Sequence, residues 1–112
     1  MPKTPDAIYP SEQNLHLCAE LLRADDLVAV PTETVYGIAG NSLSERAVRK
    51  IFEVKGRPLV DPLISHFKDT ESVFKHVYEN RDARKLAEAF WPGPLTMILP
   101  KKESIPDLVT AG

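Results

Sequence analysis

Helix-forming segments alternate along this chain with short, mainly apolar runs, and this alternation is what most constrains the fold. The amphipathic segments carry apolar residues at helical spacing and span 11–26, 43–56, 70–80 and 82–91. The short runs have the length of strands and span 27–30, 62–67 and 95–99. Helices that alternate with strands predict an α/β fold, here a twisted mixed sheet with flanking helices. Three strands are few for a sheet, so we expect an incomplete domain.

Local signals predict the helix ends and the buried faces. Ser11 and Ser44 stand where N-caps are expected, and Gly56 stands where a helix can end on a left-handed residue. The uninterrupted apolar run 27–30 predicts a strand buried on both faces. The helical residues expected to point into the core are Leu15, Cys18, Leu21, Leu22, Ala47, Val48, Ile51, Phe52, Val73, Phe74, Val77, Tyr78, Ala83, Leu86, Ala87 and Phe90.

Length and composition bound the class of protein. A chain of 112 residues predicts one domain, which we place at 11–112 after a Pro-rich, extended lead-in at 1–10. A single cysteine, Cys18, excludes an internal disulfide framework and a cysteine zinc site. The net charge of −2 gives no bulk attraction for nucleic acid. Without a long apolar run or an apolar N-terminal segment, we expect a cytoplasmic protein that does not contact a membrane.

A hydroxyl-rich turn follows the first predicted strand. Thr32, Glu33, Thr34 and Tyr36 lie within five residues of one another. This position, at the carboxyl end of a strand, is where open α/β sheets bind ligands. Two interpretations stand: a turn capped by its own side chains, or a site for a polar ligand of amino-acid or sugar size.

Two cations flank Gly56 at the end of the second predicted helix. Lys55 and Arg57 can simply be favoured there by the helix dipole. However, Arg57 precedes Pro58 and is therefore biased to an extended conformation outside the helix. An extended pair of cations can meet one phosphate or carboxylate. Asp61 also precedes a proline, which stiffens the loop, and this favours a positioned anion site.

The histidines give a weaker signal. His66 lies in the run 62–67, where alternation places it on the face of Ile64 and opposite Leu63 and Phe67. A single strand histidine can be structural or can contact a ligand. His16 and His76 lie on predicted helices without metal-type partners, and no metal site is predicted. The common phosphate-loop, dinucleotide and metalloprotease motifs are absent from the sequence.

The motifs together resemble a known family. "PTETVYG" (31–37), "KGRP" (55–58), "DPLISH" (61–66) and "WPGPLT" (91–96) follow one another in the order and spacing of the YrdC-like threonylcarbamoyl-adenylate synthases. The resemblance runs from about residue 11 onward. It implies a twisted α/β fold with an open cavity and a nucleotidyltransferase reaction: L-threonine, bicarbonate and ATP give threonylcarbamoyl-adenylate and pyrophosphate. Other proteins then use this intermediate to modify a tRNA adenosine.

The resemblance also implies roles for individual residues. Thr34 and His66, with Thr32 beside them, would contact L-threonine. Lys55, Arg57 and the Asp61 position would contact ATP, and the two cations would stabilise charge during transfer. Mg²⁺ would arrive with ATP.

Two departures from the family pattern leave alternatives open. Asp61 stands where the family usually has asparagine, which adds negative charge near the phosphates. The later strands and the Ser-x-Asn motif of the family pattern do not occur in these 112 residues, so we expect the N-terminal part of the domain with an open sheet edge. Another protein, or a second copy in a homodimer, can cover that edge. The alternative to an enzyme is a non-catalytic module that binds threonine, nucleotide or double-stranded RNA.

Overall fold

A computed structural model describes residues 7–111 as a mixed α/β structure. Residues 1–6, most of the predicted lead-in, lie outside the described part, and residues 7–10 have no regular secondary structure. The elements in chain order are α1 (Glu12–Arg23), β1 (Val28–Pro31), β2 (Tyr36–Ala39), α2 (Glu45–Lys55), α3 (Thr70–His76), α4 (Arg81–Phe90) and a 3-10 helix (Asp107–Thr110). No helix in this part of the chain is long and apolar enough to cross a membrane.

The predicted N-caps of α1 and α2 and the predicted end of α2 at Gly56 are confirmed, whereas α1 ends at Arg23, three residues before the predicted bound. The Ser11 hydroxyl accepts a hydrogen bond from the Asn14 amide at 3.2 Å. The Ser44 hydroxyl accepts one from the Ala47 amide, also at 3.2 Å. Gly56 ends α2 in the left-handed conformation, with φ of 59°, which glycine adopts without a side-chain clash. These are local interactions between residues close in sequence, so the sequence alone reveals them.

Removing the cap of α2 provides a test of modest size. We expect Ser44→Ala to lower the free energy of unfolding by about 1 kcal/mol, because the Ala47 amide loses its acceptor. Ser42→Ala is the matched control, since the Ser42 hydroxyl makes no hydrogen bond with any residue in 7–111. Urea unfolding followed by circular dichroism measures both variants. Equal losses in the two would show that the cap contributes nothing.

The sheet is a two-stranded antiparallel hairpin. β1 pairs with β2 in the register Val28 with Ala39 through Pro31 with Tyr36. The second strand was not predicted, because its four residues follow the polar turn without a clear alternating pattern. The prediction that β1 is buried on both faces is wrong. Its residues alternate between half-buried and exposed, as in a hairpin with one covered face.

The predicted strands at 62–67 and 95–99 are also wrong. Neither segment joins a sheet within residues 7–111. The run 62–67 does show the predicted alternation: Leu63, Ser65 and Phe67 are half-buried, whereas Ile64 and His66 are exposed. A strand requires hydrogen bonds to a neighbouring strand, and sequence pattern alone cannot establish that such a neighbour is present.

Two apolar clusters form the core. The first joins α2 to the C-terminal 3-10 helix and its lead-in, and consists of Val48, Phe52, Ile105 and Val109. The second joins α3 to α4 through Phe74, Ala83 and Ala87, with Trp91, Met97 and Leu99 packed against it. The predicted inward residues that are buried are Ala47, Val48, Ile51, Phe52, Phe74, Ala83 and Ala87.

Several predicted core positions are exposed instead. They are Leu15, Leu21, Tyr78, Leu86 and Phe90. Tyr78 is exposed because α3 ends at His76 and the chain leaves the helix, so that Val77 bridges to Lys101. The others lie on helical faces that no described element fully covers. Cys18 is half-buried rather than packed in the core.

An ion-pair network links α3 to α4. The Arg84 guanidinium donates to Glu71 at 2.6 Å and to Glu79 at 2.8 Å. The hydrogen bond from Arg84 lowers the pKa of the Glu79 carboxyl. The same guanidinium lies 4.6 Å from the centre of the Phe74 ring. These contacts hold together α3 and α4, the two helices against which the segment 91–99 packs.

Candidate functional site

The turn between β1 and β2 is organised by Thr32. Its hydroxyl donates to the Val35 carbonyl and accepts from the Val35 amide at 3.2 Å and the Thr34 amide at 3.4 Å. These are the hydrogen bonds of a turn capped by its own side chain. The side chains of Glu33, Thr34 and Tyr36 are exposed, with Tyr36 at 76%. Thr32 therefore shapes the turn, and its neighbours present polar groups to solvent.

The loop after α2 carries the two predicted cations. The Gly56 and Arg57 amides donate to the carbonyls of Glu53 and Phe52, at 3.3 and 3.0 Å, which closes the helix in a Schellman-type end. Lys55 is exposed and Arg57 is half-buried. As predicted from the following proline, Arg57 lies outside the helix. Gly56, in the left-handed conformation, separates Lys55 from Arg57 along the chain.

The Arg57 side chain folds back over its own loop. Its Nη2 donates to the Pro62 carbonyl at 3.0 Å. Its Nε lies 3.9 Å from Asp61 Oδ2, a distance that allows an ion pair but no hydrogen bond. Nε is buried and has no hydrogen-bond partner in the described structure. Asp61 thus faces Arg57.

A cavity of about 850 Å³ is lined mainly by the segments 62–70 and 91–99. The remaining lining residues are Val73, Val77, Lys101, Ile105, Val109 and Thr110. Trp91 Nε1 donates to the Leu95 carbonyl at 2.8 Å, which fixes the turn that begins the second segment. The volume suits a small ligand, and most of the lining side chains are apolar.

Of the predicted site residues, only His66 lines this cavity. The ones that do not are Thr32, Thr34, Lys55, Arg57 and Asp61. The described structure thus places His66 at the cavity, Arg57 beside Asp61 in one loop, and the two threonines in the hairpin turn. It does not bring these three groups into one pocket.

Besides His66, the cavity has polar lining residues that sequence reasoning did not single out as site residues: Ser65, Lys68, Asp69, Thr70, Thr96, Lys101 and Thr110. The buried Ser65 hydroxyl has no hydrogen-bond partner in the described structure. The available signal for Ser65 was a serine in the mainly apolar run 62–67. A buried hydroxyl normally finds a hydrogen-bond partner, so a serine in such a run is a candidate for contact with a ligand.

Residues 7–111 contain no group of three or more His, Cys, Asp or Glu side chains that could hold a metal ion. Asp61, which the sequence predicts at the phosphate site, is within ion-pair distance of Arg57.

Comparison with known proteins identifies the family. Residues 20–112 match the Sua5/YciO/YrdC model, which is described as telomere recombination. A threonylcarbamoyl-AMP synthase from Pyrococcus abyssi (strain GE5 / Orsay) is 48% identical over 104 residues, which are 90% of this chain and 30% of that protein. One from Bacillus subtilis (strain 168) is 41% identical over 109 residues, 96% of this chain and 32% of that protein. The chain belongs to the Sua5/YciO/YrdC family.

Solved structures agree with this assignment. The structure of P. abyssi Sua5 complexed with L-threonine superimposes with a TM-score of 0.85 at 47% identity, covering 91% of this chain and 30% of that one. A Sua5 variant from the same organism gives a TM-score of 0.86. The chain thus spans about a third of the length of these relatives and corresponds to their N-terminal part.

Proposed function

We propose that this chain is the N-terminal part of a threonylcarbamoyl-AMP synthase, which converts L-threonine, bicarbonate and ATP to threonylcarbamoyl-AMP and pyrophosphate. The observation that carries the proposal is the match to a Sua5 structure complexed with L-threonine, at 47% identity over 91% of this chain. The intermediate would be used in the cytoplasm by tRNA-modifying proteins.

The proposal gives binding roles to two groups of residues. Thr34 and His66, both exposed, would bind L-threonine, and the hydrogen bonds of Thr32 would fix the turn that presents Thr34. Lys55 and Arg57 would bind the phosphates of ATP, which enters as its Mg²⁺ complex.

The chemistry fits these side chains. The reactants are anions, so fixed cations can stabilise charge that develops during transfer. The threonine amine is itself the nucleophile, and no protein nucleophile is required. Catalysis would then consist mainly of holding the reactants in position. Because the hairpin turn, the Arg57 loop and the cavity are separate in this chain, assembly of the site would bring them together around the ligands.

Substitution of Arg57 tests the ATP side. We expect Arg57→Ala to weaken ATP binding by about 1.5–3 kcal/mol, typical of hydrogen bonds to charged groups. Stability should change little, because the side chain makes one hydrogen bond to a carbonyl and a long ion pair. Lys85→Ala is the control, since it removes one exposed cation from α4.

The same variant separates the two interpretations of the cations. ATP titration by calorimetry measures affinity, and urea unfolding measures stability. A large loss of stability with unchanged ATP affinity would favour a role at the helix end and would contradict the phosphate site. Equal weakening in Lys85→Ala would show that only net charge matters.

A further inference from the structure

The guanidinium of Arg57 is only partly satisfied within its own loop. Nη2 donates to the Pro62 carbonyl at 3.0 Å. Nε is buried and has no hydrogen-bond partner in residues 7–111, although Asp61 Oδ2 lies 3.9 Å away. A buried donor without a partner is unfavourable. The Arg57 guanidinium thus lies beside the Asp61 carboxylate, while its Nε makes no hydrogen bond.

The loop itself places the carboxylate there. The Asp61 amide donates to the Pro58 carbonyl at 3.1 Å, so the chain turns back between these residues. Prolines at 58 and 62 restrict the backbone at both ends of this turn. Since the turn brings the carboxylate back toward the guanidinium, the ion pair is a product of local geometry.

We propose that Asp61 sets the affinity of the anion site: it forms an ion pair with Arg57 when no ligand is bound and weakens the attraction of this loop for phosphate groups. The inference rests on the proposed function, because it takes the ligand of Arg57 to be a polyphosphate. A phosphate that binds Arg57 has to do so beside a fixed negative charge.

The size of the effect follows from Coulomb's law. The Asp61 side chain is 51% exposed, so the interaction is close to that in water. Repulsion between unit charges roughly 6 Å apart in water corresponds to about a 3-fold change in affinity. Because a polyphosphate carries several charges, we expect about 3- to 10-fold in total. Salt screens exposed charges, so the effect should shrink as ionic strength rises.

The test is a titration with MgATP, followed in ¹H–¹⁵N spectra of the whole 112-residue chain. We compare wild type, Asp61→Asn, Arg57→Ala and the double variant at low and high salt. Asp61→Asn should bind MgATP about 3- to 10-fold more tightly at low salt, and less so at high salt. The gain should disappear in the Arg57→Ala background. Glu88→Gln, which removes an exposed carboxylate from α4, is the charge control.

The outcomes distinguish the inference from the proposed function. If Arg57→Ala weakens binding but Asp61→Asn does not strengthen it, the inference is wrong and the phosphate site stands. If no variant, wild type included, binds MgATP, or if Arg57→Ala binds as wild type does, both fail. A gain that persists without Arg57, or that Glu88→Gln reproduces, also overturns the inference. Urea unfolding of Asp61→Asn beside wild type measures any effect of this substitution on folding.

Discussion

Replacing Phe52 with alanine is expected to lower the free energy of unfolding by about 3–5 kcal/mol, the usual cost of removing a buried phenyl ring. Phe52 is only 2% exposed and packs with Val48, Ile105 and Val109. Those contacts connect α2 to the C-terminal 3-10 helix. Because the neighbours of the ring belong to two different elements, its removal would leave a cavity between them.

A loss of this size would unfold much of the chain, since domains are typically stable by about 5–15 kcal/mol in total. Urea unfolding followed by circular dichroism measures the change. Val54→Ala on the same helix is the control, because Val54 is 64% exposed. A loss below about 1 kcal/mol for Phe52→Ala would show that α2 does not depend on this cluster.

The second large effect concerns turnover. We expect the 112-residue chain to release pyrophosphate from L-threonine, bicarbonate and MgATP at least about 100-fold more slowly than the P. abyssi synthase. The chain spans 30% of that protein, and transition-state binding needs contacts on both sides of the reacting groups. A loss of about 100-fold or more is typical even when a single stabilising donor is removed.

A pyrophosphate-release assay run beside light scattering measures this. The P. abyssi protein is the positive control, and omission of threonine is the blank. Rapid turnover by a monomer would contradict the expectation, because the residues present would then suffice. Turnover confined to a dimer would instead show that a second copy completes the site.

The sequence predicted best where the interaction is local. Ser44 and Gly56 lie at the two ends of α2, and each acts on residues within one helical turn. The alternating faces of residues 62–67 were also predicted correctly, since side chains alternate in any extended segment. Family membership was likewise predicted, because four short motifs in a fixed order are far more specific than any one of them.

The misses at the predicted strands and at Phe90 share one physical cause, which is dependence on distant parts of the chain. The segments 62–67 and 95–99 can become strands only if neighbouring strands pair with them. The sequence of a segment does not show whether such a neighbour is present. The exposure of Phe90 depends on what covers α4, although its helical position was predicted correctly. The contact between Arg57 and Asp61 was missed for a different reason: it is local, but it depends on the conformation of the turn between Pro58 and Pro62, which residue types alone do not specify. Both residues had been singled out, but as separate ligands of ATP.

The most direct test of the central claim is calorimetric titration of the chain with L-threonine, L-serine and L-valine. Valine has nearly the shape of threonine but lacks its hydroxyl. A site that hydrogen-bonds this hydroxyl should bind threonine at least about 100-fold more tightly than valine, because bound valine covers the polar groups of the site without pairing them. We expect measurable threonine binding that weakens in His66→Ala and Thr34→Val, with serine between threonine and valine. Equal affinity for threonine and valine would contradict the account.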